Sequence, residues 1–154
     1  MQWLLILGIG IVAGLRAMTA PAVVAWAACL GWLRLTGTPL AFMGSKWAVA
    51  IFTLAALGEF VNDQLPATPA RTAAGPLTAR MVMGALCGAC LALSGGSAWL
   101  PGAIVGAIGG ILGAFGGYRA RVGLVKSLKV PDYAIAIPED LVAIGLAVLL
   151  TRQG

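Results

Sequence analysis

The sequence predicts an all-α fold, a single polytopic membrane domain of about six hydrophobic segments that covers residues 1–154. Hydrophobic residues make up 60% of the chain and charged residues only 10%, whereas soluble domains carry about 25% charged residues. A soluble fold of this length has too little interior to bury so much apolar surface, so the expected solvent is lipid. Since a spanning helix needs roughly 20 residues, the chain has room for five or six crossings.

Three apolar runs make up the first part of the chain. Residues 1–15 and 17–33 are uncharged and are separated only by Arg16, and a third run covers 47–63 after a polar-flanked connector. Because no basic residue precedes the first run, as one would in a secretory signal peptide, we expect a permanent helix there. The first two runs fit either two crossings or one broken crossing. We favour two, which gives six segments in total.

The second part begins with the longest expected loop, residues 64–80, which contains three prolines and two arginines. Residues 81–118 carry no charge, and the stretch "SGGSAWLP" interrupts them with small residues and a proline, which indicates a helical hairpin with a tight turn. The last helix is expected to begin near Pro138. Proline favours the first helical turn, where Glu139 and Asp140 would complement the helix dipole.

Charge gives the expected orientation and localisation. Ten basic and five acidic residues leave a net charge of +5, which we interpret as the cytoplasmic bias of a multi-pass bacterial inner-membrane protein. The sequence has no basic patch interleaved with aromatic residues, so we expect no nucleic-acid partner. The basic segments 64–80 and 118–132 are therefore expected in the cytoplasm and the uncharged turn around Gly95 outside. Two crossings before residue 34 would put both termini outside, and one broken crossing would put the amino terminus inside.

The residue types needed for a metal site or for acid–base catalysis are scarce. The chain lacks histidine, the usual general base and commonest metal ligand. Cys87 and Cys90 form a Cys-Gly-Ala-Cys spacing, but they lie in an apolar helix without neighbours that would activate a thiol or complete a metal site. We therefore expect no metal and no cofactor. Carboxylates without a nucleophile or a histidine also argue against an enzyme.

Small residues follow one face of the predicted helix "PGAIVGAIGGILGAFGG". Its glycines recur at intervals of three or four residues, at Gly102, Gly106, Gly110, Gly113 and Gly117. At this spacing two helix backbones approach closely, and van der Waals contact replaces the hydrophobic effect in lipid. The face is expected to pack either against another helix of the same chain or against a second copy in a homo-oligomer.

Polar side chains inside or beside the apolar runs are the candidate site residues, because charges in hydrocarbon normally pair or face water. They are Arg16, Glu59, Asn62, Asp63, Arg80, Arg119, Glu139 and Asp140. The stretch "GLRAMTAP" adds Thr19 and Pro21 to Arg16, and this proline frees backbone groups that lipid does not tolerate. We expect Arg16 to point inward and to pair with Glu59. The alternative is an arginine that extends to the lipid headgroups.

An acidic helix end precedes the proline-rich loop in "GEFVNDQLPATPARTAAGPLTAR". Glu59, Asn62 and Asp63 are spaced so that they share one side of this helix end. The prolines favour an extended loop, from which Arg71 and Thr72 can return to the acidic cluster. The sequence thus predicts a charged site at the end of the third segment.

A short internal echo suggests a repeat. "GIVAGLRA" resembles "AFGGYRA", which would make Arg119 the counterpart of Arg16, and each half of the chain has an acidic helix end, at Glu59 and at Glu139. Many transporters contain such repeats, with the binding site at the repeat interface. Chance similarity between glycine-rich helices is the competing explanation.

The two stretches "GLRAMTAPAVVAWAA" and "GEFVNDQLPATPARTAAGPLTARMVMGALCGA" together resemble a family of small bacterial inner-membrane proteins described as a domain of unknown function, number 4126. The similarity extends over nearly the whole chain. It implies a compact helical membrane domain and carries no activity, substrate or catalytic residue with it.

The leading functional hypothesis is a translocator of a small solute or ion, with the arginines favouring an anion and with Glu59 and Asp63 carrying a proton or acting as a gate. A homo-oligomer surrounded by membrane lipids is expected, because one chain of 154 residues offers few helices to enclose a path. The second hypothesis is a non-transporting scaffold or accessory subunit that binds a partner through its glycine faces. The third is a lipid-handling protein in which Arg16 and Arg119 hold phosphates.

Overall fold

A computed structural model describes residues 1–63 and 73–153. In these ranges the chain forms six α-helices and one short 3-10 helix and no strand, so the predicted all-α class is confirmed. The helices are α1 (Gln2–Leu15), α2 (Thr19–Cys29), the 3-10 helix Ala41–Gly44, α3 (Lys46–Asp63), α4 (Ala74–Ser94), α5 (Trp99–Leu128) and α6 (Asp132–Gln153). The predicted hairpin turn after residue 94 is confirmed, since four residues separate α4 from α5.

The helices α1 and α2 form an antiparallel hairpin. The amide of Gln2, at the start of α1, donates to the carbonyl oxygens of Leu91 and Ala92 at the end of α4, at 3.3 and 3.2 Å. The backbone N–H of Arg34, beyond α2, donates to the Ser94 hydroxyl at 3.0 Å. The start of α1 and the segment after α2 both contact the same end of α4. The chain therefore runs away from this end in α1 and returns toward it in α2, so the two apolar runs are separate helices.

Two ends of the bundle are named below by their residues. The tryptophan end contains the start of α1, the start of α3 and the α4–α5 turn, and its side chains Trp3, Trp32, Trp47 and Trp99 are all exposed. The opposite end, called the arginine end, contains the α1–α2 turn, the last turn of α3 and the first half of α6. Arg16, Arg80 and Arg121 lie toward this end.

The first two helices are short. At about 1.5 Å per residue, α1 with 14 residues extends about 21 Å and α2 with 11 residues about 17 Å. Of the described helices, α4 and α5 are long and apolar enough to cross a membrane. The count of six crossings therefore stays a prediction.

Glycines bring α1, α4 and α5 into backbone contact. A Cβ atom added at Gly110 would lie 2.7 Å from the Arg80 carbonyl oxygen on α4, and one added at Gly109 would lie 2.5 Å from the Leu7 carbonyl oxygen on α1. Both distances are too short for a real Cβ, so any larger residue would push the helices apart. The side chains of Ile6 and Ile9 are fully buried, which makes α1 a central helix of the core.

The predicted glycine face lies inside the chain rather than on its surface. Four of its five members are buried against α1 or α4, namely Gly102, Gly106, Gly110 and Gly113. Gly117 is only partly buried. Gly109, which the sequence analysis did not include, packs against α1 next to this face.

One predicted boundary is wrong. The last helix begins at Asp132 instead of Pro138, so Pro138 lies inside it and Asp140 lies beyond its first turn. Pro131 directly precedes the helix and is the proline that marks its start. The helix α5 continues through the basic segment to Leu128, and its C-cap is Lys129, whose φ is 50°. Between residues 118 and 129 the sequence has no proline, and its one glycine, Gly123, lies within the helix without ending it.

Candidate functional site

The α1–α2 turn places a charged side chain in the interior. Arg16 has an extended backbone, with φ −141° and ψ 109°, which ends α1. Its side chain is fully buried, and its Nη2 forms an ion pair with Oδ1 of Asp140 from α6. The guanidinium carbon also lies 5.4 Å from the centroid of the Phe60 ring, within the range of a cation–π contact.

Glu59 binds the α1–α2 turn directly before α2. Its Oε1 accepts a hydrogen bond from the backbone N–H of Ala17 and its Oε2 accepts one from the N–H of Met18, both at 2.9 Å. The first N–H groups of a helix have no partner within the helix and favour an anion. Pro21 has no N–H of its own and so reduces the number of donors that this helix start must satisfy.

Arg80 on α4 joins the end of α1 to this carboxylate. Its Nη1 donates to the carbonyl oxygen of Gly14 at 2.8 Å, and its Nη2 lies 3.7 Å from Oε1 of Glu59. The residue is only 5% exposed. The contact with Gly14 satisfies one of the last carbonyl groups of α1, which the helix cannot satisfy itself.

Together two buried arginines, Arg16 and Arg80, and two partly buried carboxylates, Glu59 and Asp140, form a set that is called the Arg16 cluster below. A buried charge costs several kcal/mol unless it is paired and hydrogen-bonded, and each member meets an opposite charge. Thr19, the first residue of α2, is 3% exposed, and its hydroxyl has no hydrogen-bond partner among residues 1–63 and 73–153.

The expected ion pair between Arg16 and Glu59 is wrong. The described ion pair of Arg16 is with Asp140, and Glu59 instead bonds to the backbone directly after Arg16 and to Arg80. The inward direction of Arg16 agrees with the expectation. Arg80 and Asp140 were recognised from the sequence as charges beside apolar runs, but neither the Arg16–Asp140 pair nor the contact of Arg80 with Glu59 was predicted.

The other predicted site residues that the structure describes are not members of this cluster. Arg119 is exposed on α5, unlike the fully buried Arg16. Glu139 lies next to Asp140, and its Oε2 is 3.7 Å from Nη1 of Arg121. Asn62 is exposed near the end of α3. Asp63 ends α3, but its side chain, Arg71 and Thr72 lie outside what the structure describes.

The cysteines offer no metal site. Cys87 and Cys90 are buried in α4, and all three cysteines are free thiols. Within the described part of the chain, no group of three or more His, Cys, Asp or Glu side chains could hold a metal ion.

Comparison with protein families identifies the chain. The model of a domain of unknown function (DUF4126) matches residues 3–152, essentially the full length. The chain belongs to this family. Searches of curated proteins and of solved structures found no match.

Proposed function

We propose that this family member is a multi-pass protein of the bacterial inner membrane that translocates a small ion or solute, with a preference for anions, past the Arg16 cluster. The observation that carries the proposal is the fully buried guanidinium of Arg16 at the turn between two short helices. Charges at membrane depth are costly and are kept where an ion or a proton passes.

The tryptophans support the depth of the cluster. Trp3, Trp32, Trp47 and Trp99 form a belt at one end of the bundle, which is the usual place of indole rings at a membrane surface. Arg16 follows Trp3 by 13 residues along α1, which corresponds to about 20 Å. In a hydrocarbon layer of about 30 Å, the cluster would lie roughly 10 Å from the other surface.

The outer surface supports a lipid environment for the remaining helices. Large apolar side chains are exposed along α3, α5 and α6, among them Leu54, Leu57, Leu112, Leu141 and Leu149. A soluble monomer rarely exposes so much contiguous apolar surface. Covering it with lipid would make α3 and α6 crossings as well, in addition to α4 and α5.

The distribution of charge supports the orientation. The arginine end has the basic residues Arg16, Arg80, Arg119, Arg121, Lys126 and Lys129, which by the positive-inside rule face the cytoplasm. Both α4 and α6 continue toward this end beyond the cluster, by six and eight residues respectively, or about 9 to 12 Å. An ion entering from the cytoplasm would therefore reach the cluster over a short distance.

We propose that assembly uses surfaces other than the glycine face. The glycine face is covered by α1 and α4 of the same chain, so it offers little support for a scaffold that binds partners through that face. The homo-oligomer that we propose would use the exposed apolar surfaces of α3, α5 or α6.

Flux measurements test the function. Purified protein is reconstituted in vesicles of bacterial lipids, and uptake of chloride and formate as potassium salts is followed with valinomycin present, so that K⁺ movement balances the charge of anion entry. We expect anion uptake above that of protein-free vesicles and a loss of at least tenfold in Arg80→Met. Arg119→Met, which removes an exposed arginine of the same charge, should retain the flux. Equal uptake by protein-free and protein-containing vesicles for every ion would contradict the proposal.

A further inference from the structure

Glu59 occupies a place that is built for a planar anion. Each of its two oxygens takes one of two consecutive N–H groups, at 2.9 Å, and Oε1 also lies 3.7 Å from the guanidinium of Arg80. These donors come from the α1–α2 turn and from α4, whereas the carboxylate comes from α3. The Glu59 carboxylate thus belongs to a different helix from its donors, so it can move away without disturbing the backbone that binds it.

We propose that the N–H groups of Ala17 and Met18, together with Arg80, form a binding site for a small carboxylate such as formate, and that Glu59 fills this site when no anion is bound. The inference rests on the proposed function and names the substrate class of its site. Two adjacent donors suit the two oxygens of a carboxylate, since each oxygen meets one N–H group.

The surroundings fit an incoming anion. Displacing the Glu59 side chain would remove the negative charge that lies 3.7 Å from Nη2 of Arg80, and an incoming anion would replace it. The residue after Met18 is Thr19, which is 3% exposed and whose hydroxyl has no hydrogen-bond partner among the described residues, so it has a donor available at this helix start. The Glu59 side chain is 12% exposed, so a change of rotamer has an outlet from the cluster.

Chemical rescue tests the site without relying on transport. Glu59→Ala removes the resident carboxylate and leaves its donors. In detergent at constant ionic strength, sodium formate should raise the Tm of this variant by about 3 °C or more with saturation, which is the size expected when a ligand binds only the folded state. The matched control is Glu139→Ala, which removes a carboxylate of similar exposure, 13%, from the Arg121 ion pair. Its Tm should respond to formate no more than that of the unaltered protein.

Two further variants keep the test decisive. If Glu59→Ala does not fold even when purified in formate, Glu59→Gln retains the shape of the side chain while its neutral amide competes less well, so formate should still raise its Tm more than that of the unaltered protein. Adding Arg80→Met should abolish the response. An equal formate response in the Glu59 variants and the control would overturn the site.

The two proposals fail separately. Ion flux by the unaltered protein together with no specific formate response would leave the translocation function standing and refute the carboxylate site. Rescue by formate without any flux would support the site and refute translocation.

Discussion

Removing the charge of Arg16 should cost far more stability than removing any exposed arginine. Arg16→Met keeps most of the side-chain volume, so the loss comes mainly from the carboxylate of Asp140, which would remain buried, 15% exposed, without this partner. Breaking a buried pair in this way costs about 3–5 kcal/mol. Because Asp140 retains some exposure, we expect about 3 kcal/mol. Arg119→Met, at an exposed position, should change the free energy of unfolding by less than about 0.5 kcal/mol.

A double-mutant cycle isolates the pair. Arg16→Met and Asp140→Asn each leave one charge without its partner, whereas the double variant removes both, so its cost should be about 2 kcal/mol smaller than the sum of the single costs. The free energy of unfolding is measured by SDS titration in mixed micelles, followed by tryptophan fluorescence. A second cycle pairs Arg16→Met with Glu59→Gln and should show weaker coupling. Additive effects within about 0.5 kcal/mol for Asp140, or stronger coupling to Glu59, would refute the assignment.

Packing and topology give two more predictions. Gly110→Ala should lower the Tm by several degrees because its Cβ would meet a carbonyl oxygen of α4 at 2.7 Å, whereas Gly116→Ala, with open space at its Cβ position, should leave the Tm unchanged or raise it. Equal effects of the two substitutions would contradict close packing. In a variant without the native cysteines, single cysteines at positions 75 and 126 should react with an impermeant thiol reagent from the cytoplasmic side and one at position 97 from outside. Labelling of position 126 from outside would reverse the orientation.

The sequence predicts those features that depend on local pattern. The small residues and proline of "SGGSAWLP" indicate the α4–α5 turn because they disfavour continued helix, and the structure has the turn at this point. The inward position of Arg16 was predicted from its place between two apolar runs and from the Thr19 and Pro21 that follow it, and its side chain is fully buried in the structure.

Which charged side chains form ion pairs with each other could not be predicted in the same way. Asp140 and Arg16 meet because α6 packs against α1 and α2, and sequence spacing does not report which helices are neighbours. Arg119 lies outside the Arg16 cluster because of helical phase. Residues two apart point in different directions on a helix, so Arg121 meets Glu139 while Arg119 is exposed.

The start of α6 shows how two signals of the same kind compete. Pro131 and Pro138 are both compatible with a helix start, and the acidic pair after Pro138 favoured the later one. The structure begins the helix just after Pro131. Asp140 therefore lies two turns inside α6, where it reaches Arg16, instead of capping the first turn.

The most direct test of the central claim is anion flux through Arg16→Met/Asp140→Asn, the variant in which the buried pair is removed from both sides. Its charge balance is unchanged and its fold should be retained, which circular dichroism and size-exclusion chromatography can verify before reconstitution. If ions pass by the Arg16 cluster, formate and chloride uptake should fall at least tenfold below that of the unaltered protein and approach the level of protein-free vesicles. Full uptake by the folded double variant would contradict the account, because the path would then not involve the buried arginine.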